Sequence, residues 1–202
     1  GEQACNIWII PTGGGRPIQF TSGPEWDVHP SWSPAGDMLA FTSLRAGTYD
    51  VWIAPVRGGR SAGEPRRITD GSVQAVSPVW SPDGSEIAFV GWADGRREVW
   101  AVPSDGSGPA RRLTDGVDAT RARWDASSGM ILASATCGED HRSLWTVSPE
   151  TGAAAPFEPA VVFGTERAYG LFDLSQEGRL LVFSREHLSG DVWVMEGPPG
   201  TY

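Results

Sequence analysis

The residue types that carry chemistry are sparse in this chain. Its 202 residues hold three histidines, His29, His141 and His187, and two cysteines, Cys5 and Cys137. No serine, that of Gly59-Arg60-Ser61-Ala62-Gly63 included, stands in the strand-turn-helix context of a nucleophile elbow, so the sequence offers none for acyl transfer. Gly13-Gly14-Gly15 has the composition of a phosphate loop but neither the Lys-Ser/Thr ending nor a following helical pattern, and reads as a hairpin turn. Glu139-Asp140 pairs two carboxylates in a loop with no partner for acid–base work. Asp83-Gly84, Asp94-Gly95 and Asp105-Gly106 lack the ligand count of a calcium loop. The cysteines are too few and too far apart for a zinc site; a Cys5–Cys137 disulfide stands open against a frayed terminal thiol and a half-buried one. No catalytic residue, metal or cofactor is expected.

What the chain has instead is a repeated phrase. Pro30-Ser31-Trp32-Ser33-Pro34-Ala35-Gly36-Asp37-Met38-Leu39-Ala40-Phe41 returns as Pro78-Val79-Trp80-Ser81-Pro82-Asp83-Gly84-Ser85-Glu86-Ile87-Ala88-Phe89. It is blurred at Ala122-Arg123-Trp124 and again at Leu174-Ser175-Gln176-Glu177-Gly178. A second column, Trp8, Trp52, Trp100, Trp145 and Trp193, recurs in short apolar runs at intervals of about 44–48 residues. A third phrase follows it: Gln19-Phe20-Thr21, Arg67-Ile68-Thr69 and Arg112-Leu113-Thr114.

Each repeat holds four short strand candidates separated by Gly, Pro and Asp turns, and no window sustains a helical period. A four-stranded antiparallel unit of this length is the signature of a β-propeller blade, about four to five of which fit in the chain. Single blades cannot bury both faces, so the five anchor tryptophans are assigned to packing between blades. Trp26 and Trp92 fall outside the columns, in loops, and are candidates for exposed contact.

The phrases Pro-x-Trp-Ser-Pro-Asp-Gly-x-x-Ile-Ala-Phe, Val-Trp and Arg-x-Leu-Thr resemble the TolB-type, WD-like propeller repeat over Asn6 to Glu196. That resemblance implies an all-β fold, with residues 1–202 forming one propeller or the C-terminal part of one. The repeats lie near 6–29 (partial), 30–77, 78–121, 122–170 and 171–197 (partial). In family terms the first unit lacks its two inner strands and the last its outer strand. Family rings usually close with more blades, so completion of a larger ring by a second copy is expected over solitary closure. The third repeat lacks the Pro and shifts its Gly by one, and the fourth replaces Trp by Leu174; both should be locally different.

In a propeller the residues entering the innermost strand line the mouth of the central channel. By register these are Asp27, His29, Gln74, Asp118, Arg121, Glu166 and Arg167, which form the candidate binding set. The bland alternative is that Asp27 and His29 only bond turn backbone. His141 and His187 lie in analogous loops of blades far apart around the ring, so no shared metal is expected.

The net charge of −9 argues against general nucleic-acid binding. All 16 basic residues are arginine, and the pairs Arg66-Arg67, Arg96-Arg97 and Arg111-Arg112 read as solvated outer strands. No run approaches the roughly 18 apolar residues of a membrane span. The leading expectation is a non-catalytic scaffold binding a protein or peptide partner through the channel mouth and loop face. The alternatives are the propeller portion of a larger enzyme, such as a peptidase gate or a kinase-appended sensor, and a small-molecule or carbohydrate binder using Trp26, Trp92 and Tyr49. The family resemblance favours a periplasmic or secreted location.

Overall fold

The computed structural model describes residues 4–137, 141–157, 172–175, 180–184 and 192–196. Every regular element among them is a β-strand. β1 (Trp8–Ile9) and β2 (Ile18–Gln19) form an opening pair. β3 (Asp27–Trp32), β4 (Met38–Ser43) and β5 (Asp50–Arg57) make an antiparallel meander, and both β6 (Arg60–Ser61) and β7 (Arg66–Arg67) pair with β5. β8 (Gln74–Trp80), β9 (Glu86–Ala93), β10 (Arg96–Pro103) and β11 (Arg111–Arg112) form the next sheet in order. β12 (Ala119–Trp124), β13 (Ile131–Cys137), β14 (His141–Val147) and β15 (Ala154–Pro156) form another. β16 (Phe172–Leu174), β17 (Leu180–Ser184) and β18 (Val192–Glu196) make a three-stranded last sheet.

The repeated Ser-Pro-x-Gly phrase works as a tight turn with a side-chain lock. The Gly36 and Gly84 N–H groups each donate to the Ser33 and Ser81 carbonyls at 2.9 Å, with φ of 72° and 75°. The Ser33 and Ser81 hydroxyls accept the N–H of Met38 and Glu86 at 3.0 Å, which fixes the register of the next strand. In the third repeat the Gly129 N–H reaches the carbonyl four residues back, on Asp125, so the turn is one residue longer. The β3 sheet has one strand more than the four expected. Gly58 and Gly59 both have positive φ (57° and 74°), the requirement of a two-residue type I′ hairpin, and they extend β5 into β6.

The core lies between blades, in layers. Ile7 and Phe20 meet Leu39, Phe41 and Ala54. Ile53 and Ile68 meet Ala75, Ile87 and Phe89. Val90 and Val99 meet Ala122, Ile131 and Val147. Leu132 and Leu144 meet Phe172 and Leu181. Each sheet thus buries its apolar side chains against the next, the arrangement that makes stacked repeats stable when single ones are not.

The tryptophans buried between blades look one way. Trp52 packs toward the opening pair, Trp80 and Trp100 toward the β3 blade, and Trp124 and Trp145 toward the β8 blade. Trp8 corrects the expectation for its column: it is 55% exposed, because no preceding sheet stands on that side among the described residues. Trp32 is 48% exposed because the opening pair has no inner strand to meet it among the described residues, while its counterpart Trp80 is 8% exposed against β3. The side chain of Trp193 lies outside the described residues.

A buried clasp ties the outermost strands. The Thr21, Thr69 and Thr114 hydroxyls accept the N–H of Ile7, Val51 and Val99 at 2.9, 3.0 and 2.9 Å. Each then donates to the side chain one residue earlier: Asn6 at 3.5 Å, Asp50 at 2.7 Å and Glu98 at 2.5 Å. Glu98 also accepts the Gly116 N–H at 2.6 Å, and Arg67 neutralises Asp50 at 2.7 Å. The threonine of the third phrase is therefore a strand clasp.

Cys5 is a half-buried free thiol, so a Cys5–Cys137 disulfide is not formed. Nor is Cys5 frayed, since its N–H donates to the Glu25 carbonyl at 3.2 Å and its carbonyl accepts the Asp27 N–H at 2.8 Å. No helix among the described residues is long and apolar enough to cross a membrane.

Candidate functional site

The edge strands β3, β8, β12 and β16 pack against one another in succession, so they form the inner wall of the stack. Three of them break register, β3 and β8 at the same point and β12 slightly earlier. β3 shifts between Val28 and Ser31, β8 between Val76 and Val79, and β12 between Ala119 and Arg121. His29 and Ser77, each three residues before its blade's Trp, occupy the first two bulges, whereas in β12 Thr120 is the unpaired residue and Arg121, three before Trp124, pairs with Ser134. His29 and Ser77 share φ values of 53° and 55°, so the left-handed conformation is a device of the blade and not a peculiarity of the histidine.

The structure separates the candidate residues into three groups. Asp27 is buried and engaged: Arg45 Nη2 donates to both its carboxylate oxygens at 3.0 and 2.8 Å. That guanidinium also donates to the Ser43 hydroxyl at 2.8 Å and lies over the Phe41 and Trp52 rings. Asp27 therefore orders the start of its blade and is spent as a ligand.

The second group forms a rim at the end where inner strands begin. Gln74 pairs with Trp92 across β8 and β9, and Trp92 pairs with Arg97 across β9 and β10. Arg97 holds Asp118 through two 3.0 Å bonds. Trp92 sits in a strand and not a loop, because Asp94 and Gly95 alone close the hairpin with φ of 52° and 75°. It is 54% exposed, Trp26 is 43% exposed, and Leu44, which bonds the Trp26 carbonyl, is exposed beside it. Arg97 departs from the reading of the arginine pairs as outer-strand residues; it belongs to this rim.

The third group lines the wall: His29 and Arg121, with Arg123 and Asp173, which sequence reasoning missed. Arg123 Nε donates to Asp173 at 3.1 Å, bridging β12 to β16. Alternation was the available signal, since residues two apart on a strand share a face. His29 is exposed, yet partial desolvation of its ring, followed by the fields of Arg121 and Arg123, pushes its pKa below the usual histidine value. Desolvation and Arg123 likewise lower that of Arg121, with Asp173 opposing. Glu166, Arg167 and His187 lie outside the described residues, as does the side chain of His141.

A separate open cleft of about 530 Å³ lies on the outer side between the β8 and β12 blades, beside Arg112, Asp115 and Trp145. No group of three or more His, Cys, Asp or Glu side chains among the described residues is placed to hold a metal.

The TolB β-propeller domain family matches residues 1–158. The chain belongs to that family. Among the solved structures, TolB from Acinetobacter baumannii superposes with a TM-score of 0.72 at 16% identity, over 95% of this chain and 46% of that one. A putative TolB from Agrobacterium tumefaciens gives a TM-score of 0.63 at 23% identity, over 75% and 55%. These likenesses show the fold, and this chain spans about half the length of those TolB chains. A curated relative, tricorn protease homolog 1 of Streptomyces coelicolor, is 39% identical over 54 residues, which is 27% of this chain and 5% of that protein.

Proposed function

We propose that this TolB-family propeller is a non-catalytic scaffold that binds a protein or peptide partner at the end where its inner strands begin. The observation that carries the reading is the rim itself. Trp26, Leu44 and Trp92 are exposed at one end of neighbouring blades, next to the Arg97–Asp118 pair. Large aromatic and arginine side chains are the groups that dominate binding energy at protein interfaces. A periplasmic or secreted location accords with the family.

Photo-crosslinking tests it. A benzophenone side chain at position 92 should give a discrete protein adduct that weakens in an Arg97→Ala background. The same group at exposed Pro82, at the opposite end of the blade, should give none. Equal adducts at both ends would overturn the reading.

A second reading is favoured by the tricorn protease relative: the chain serves as the propeller portion of a larger enzyme. The full reading frame decides it, since a catalytic domain in the same polypeptide would establish the enzyme. Ring completion by a second copy belongs with either reading. It is supported by the open Trp8 and Trp32 face and is tested by light scattering for a mass twice 21.6 kDa.

A further inference from the structure

Charges on the inner wall do not cancel. Among the described residues β3 carries Asp27 and His29, β12 carries Arg121 and Arg123, β16 carries Asp173, and β8 carries none. Asp27 is occupied by Arg45, and Asp173 by Arg123. That leaves Arg121 without a carboxylate.

The contrast with the other arginines is sharp. Four described arginines are half-buried: Arg45, Arg67, Arg121 and Arg123. Three of them meet Asp27, Asp50 and Asp173 at 2.8, 2.7 and 3.1 Å. Arg121 makes no ion pair among the described residues, and its Nε, like that of Arg67, is buried without a hydrogen-bond partner. A half-buried guanidinium with no carboxylate beside it is open to an acceptor, and a planar oxyanion fits its fork best. The charge of Arg123 adds to that demand, with Asp173 opposing, and His29 lies within the field of both arginines.

We propose that Arg121, on the inner wall with Arg123 and His29, binds a carboxylate of a peptide ligand. The inference rests on the reading that a peptide enters at this end of the propeller, and it names the group the wall accepts. The carboxylate comes from a C-terminus or from an acidic side chain; the chemistry at Arg121 is the same.

His29 is a built-in reporter. Its proton is disfavoured first by desolvation and then by Arg121 and Arg123, and an anion bound between them raises its pKa. The imidazole Cε1–H resonance, assigned with a His29→Gln variant, is titrated by NMR on the intact chain. The additions are N-acetyl-trialanine as free acid, the same peptide as its amide, N-acetyl-Ala-Asp-Ala amide, and inorganic phosphate. The free acid or the aspartyl peptide should shift the His29 titration upward, and whichever acts identifies the source of the carboxylate. The trialanine amide should do nothing. Arg121→Gln, checked for an unchanged circular dichroism spectrum, should abolish the ligand effect, and Arg121→Lys should retain part of it. No shift with either carboxylate peptide, a shift that survives Arg121→Gln, or a response to phosphate alone would overturn the proposal. If Trp92 fluorescence responds to the trialanine amide while His29 responds to no carboxylate, the peptide-binding reading stands and the wall site falls.

Discussion

The Trp80 indole N–H donates to the Ser31 carbonyl of the preceding blade at 3.2 Å. Trp32 holds the same place in its own repeat and lies open at 48% exposure. One side chain type thus occupies a made interface and an unmade one in the same molecule. Trp80→Ala should cost about 3–5 kcal/mol in denaturant unfolding, the range for emptying a large aromatic site. Trp32→Ala should stay within about 0.5 kcal/mol, as for an exposed residue. Equal losses would mean that the Trp32 face is covered in solution.

The Glu98 carboxylate accepts from the Thr114 hydroxyl and from the N–H groups of Gly116 and Val117, the last at 3.3 Å. Glu98→Ala strands buried donors, each worth about 1–3 kcal/mol when left unpaired. Thermal unfolding should show a large drop. Asp115→Ala, which removes an exposed carboxylate from the same loop, should change stability by less than about 0.5 kcal/mol.

Arg45 neutralises a carboxylate that is wholly inaccessible. Arg45→Met leaves Asp27 charged, buried and alone, and should cost about 3–5 kcal/mol. Adding Asp27→Leu should recover much of the loss, because removing both charges avoids the uncompensated one. A double variant no more stable than Arg45→Met would show that the arginine acts through its stacking on Phe41 and Trp52.

The carboxyl of Asp83 is held down to about 2, first by the Ser81 hydroxyl and then by the N–H and hydroxyl of Ser85. A pKa depressed in the folded state contributes stability above the unfolded value, and this is lost as pH falls from about 4 to about 2. Asp83→Asn should flatten that part of the stability–pH profile. The effect is small, because the group is exposed and solvent screens it. An unchanged acid limb in Asp83→Asn would show that these bonds do not persist in solution.

Much of the architecture was written in the repeats. Turn glycines and apolar strand positions recur because every blade must solve the same packing problem, so Gly36 and Gly84, or Phe41 and Phe89, announce one another. The wall and rim were only half legible. Asp27 reads like any polar residue before a strand; what decides its role is Arg45, whose counterpart in the next blade is Ala93. The Arg123–Asp173 bond joins residues 50 apart in sequence, and the strand register that brings them together is set by a bulge the sequence does not mark. Trp92 looked like a loop residue because Asp94 can adopt positive φ, which shortens the turn to two residues.

Because the tryptophans packed between blades face the blade before their own, the assembly has a direction. As the chain leaves the ribosome, the surface that Trp80 and Trp100 need has already been synthesised, and so has the one that Trp124 and Trp145 need. Each new blade can dock on a finished template without waiting for sequence still to come. Birth order and packing order are the same, so the growing polypeptide shields Trp80, Trp100, Trp124 and Trp145 almost as soon as they emerge.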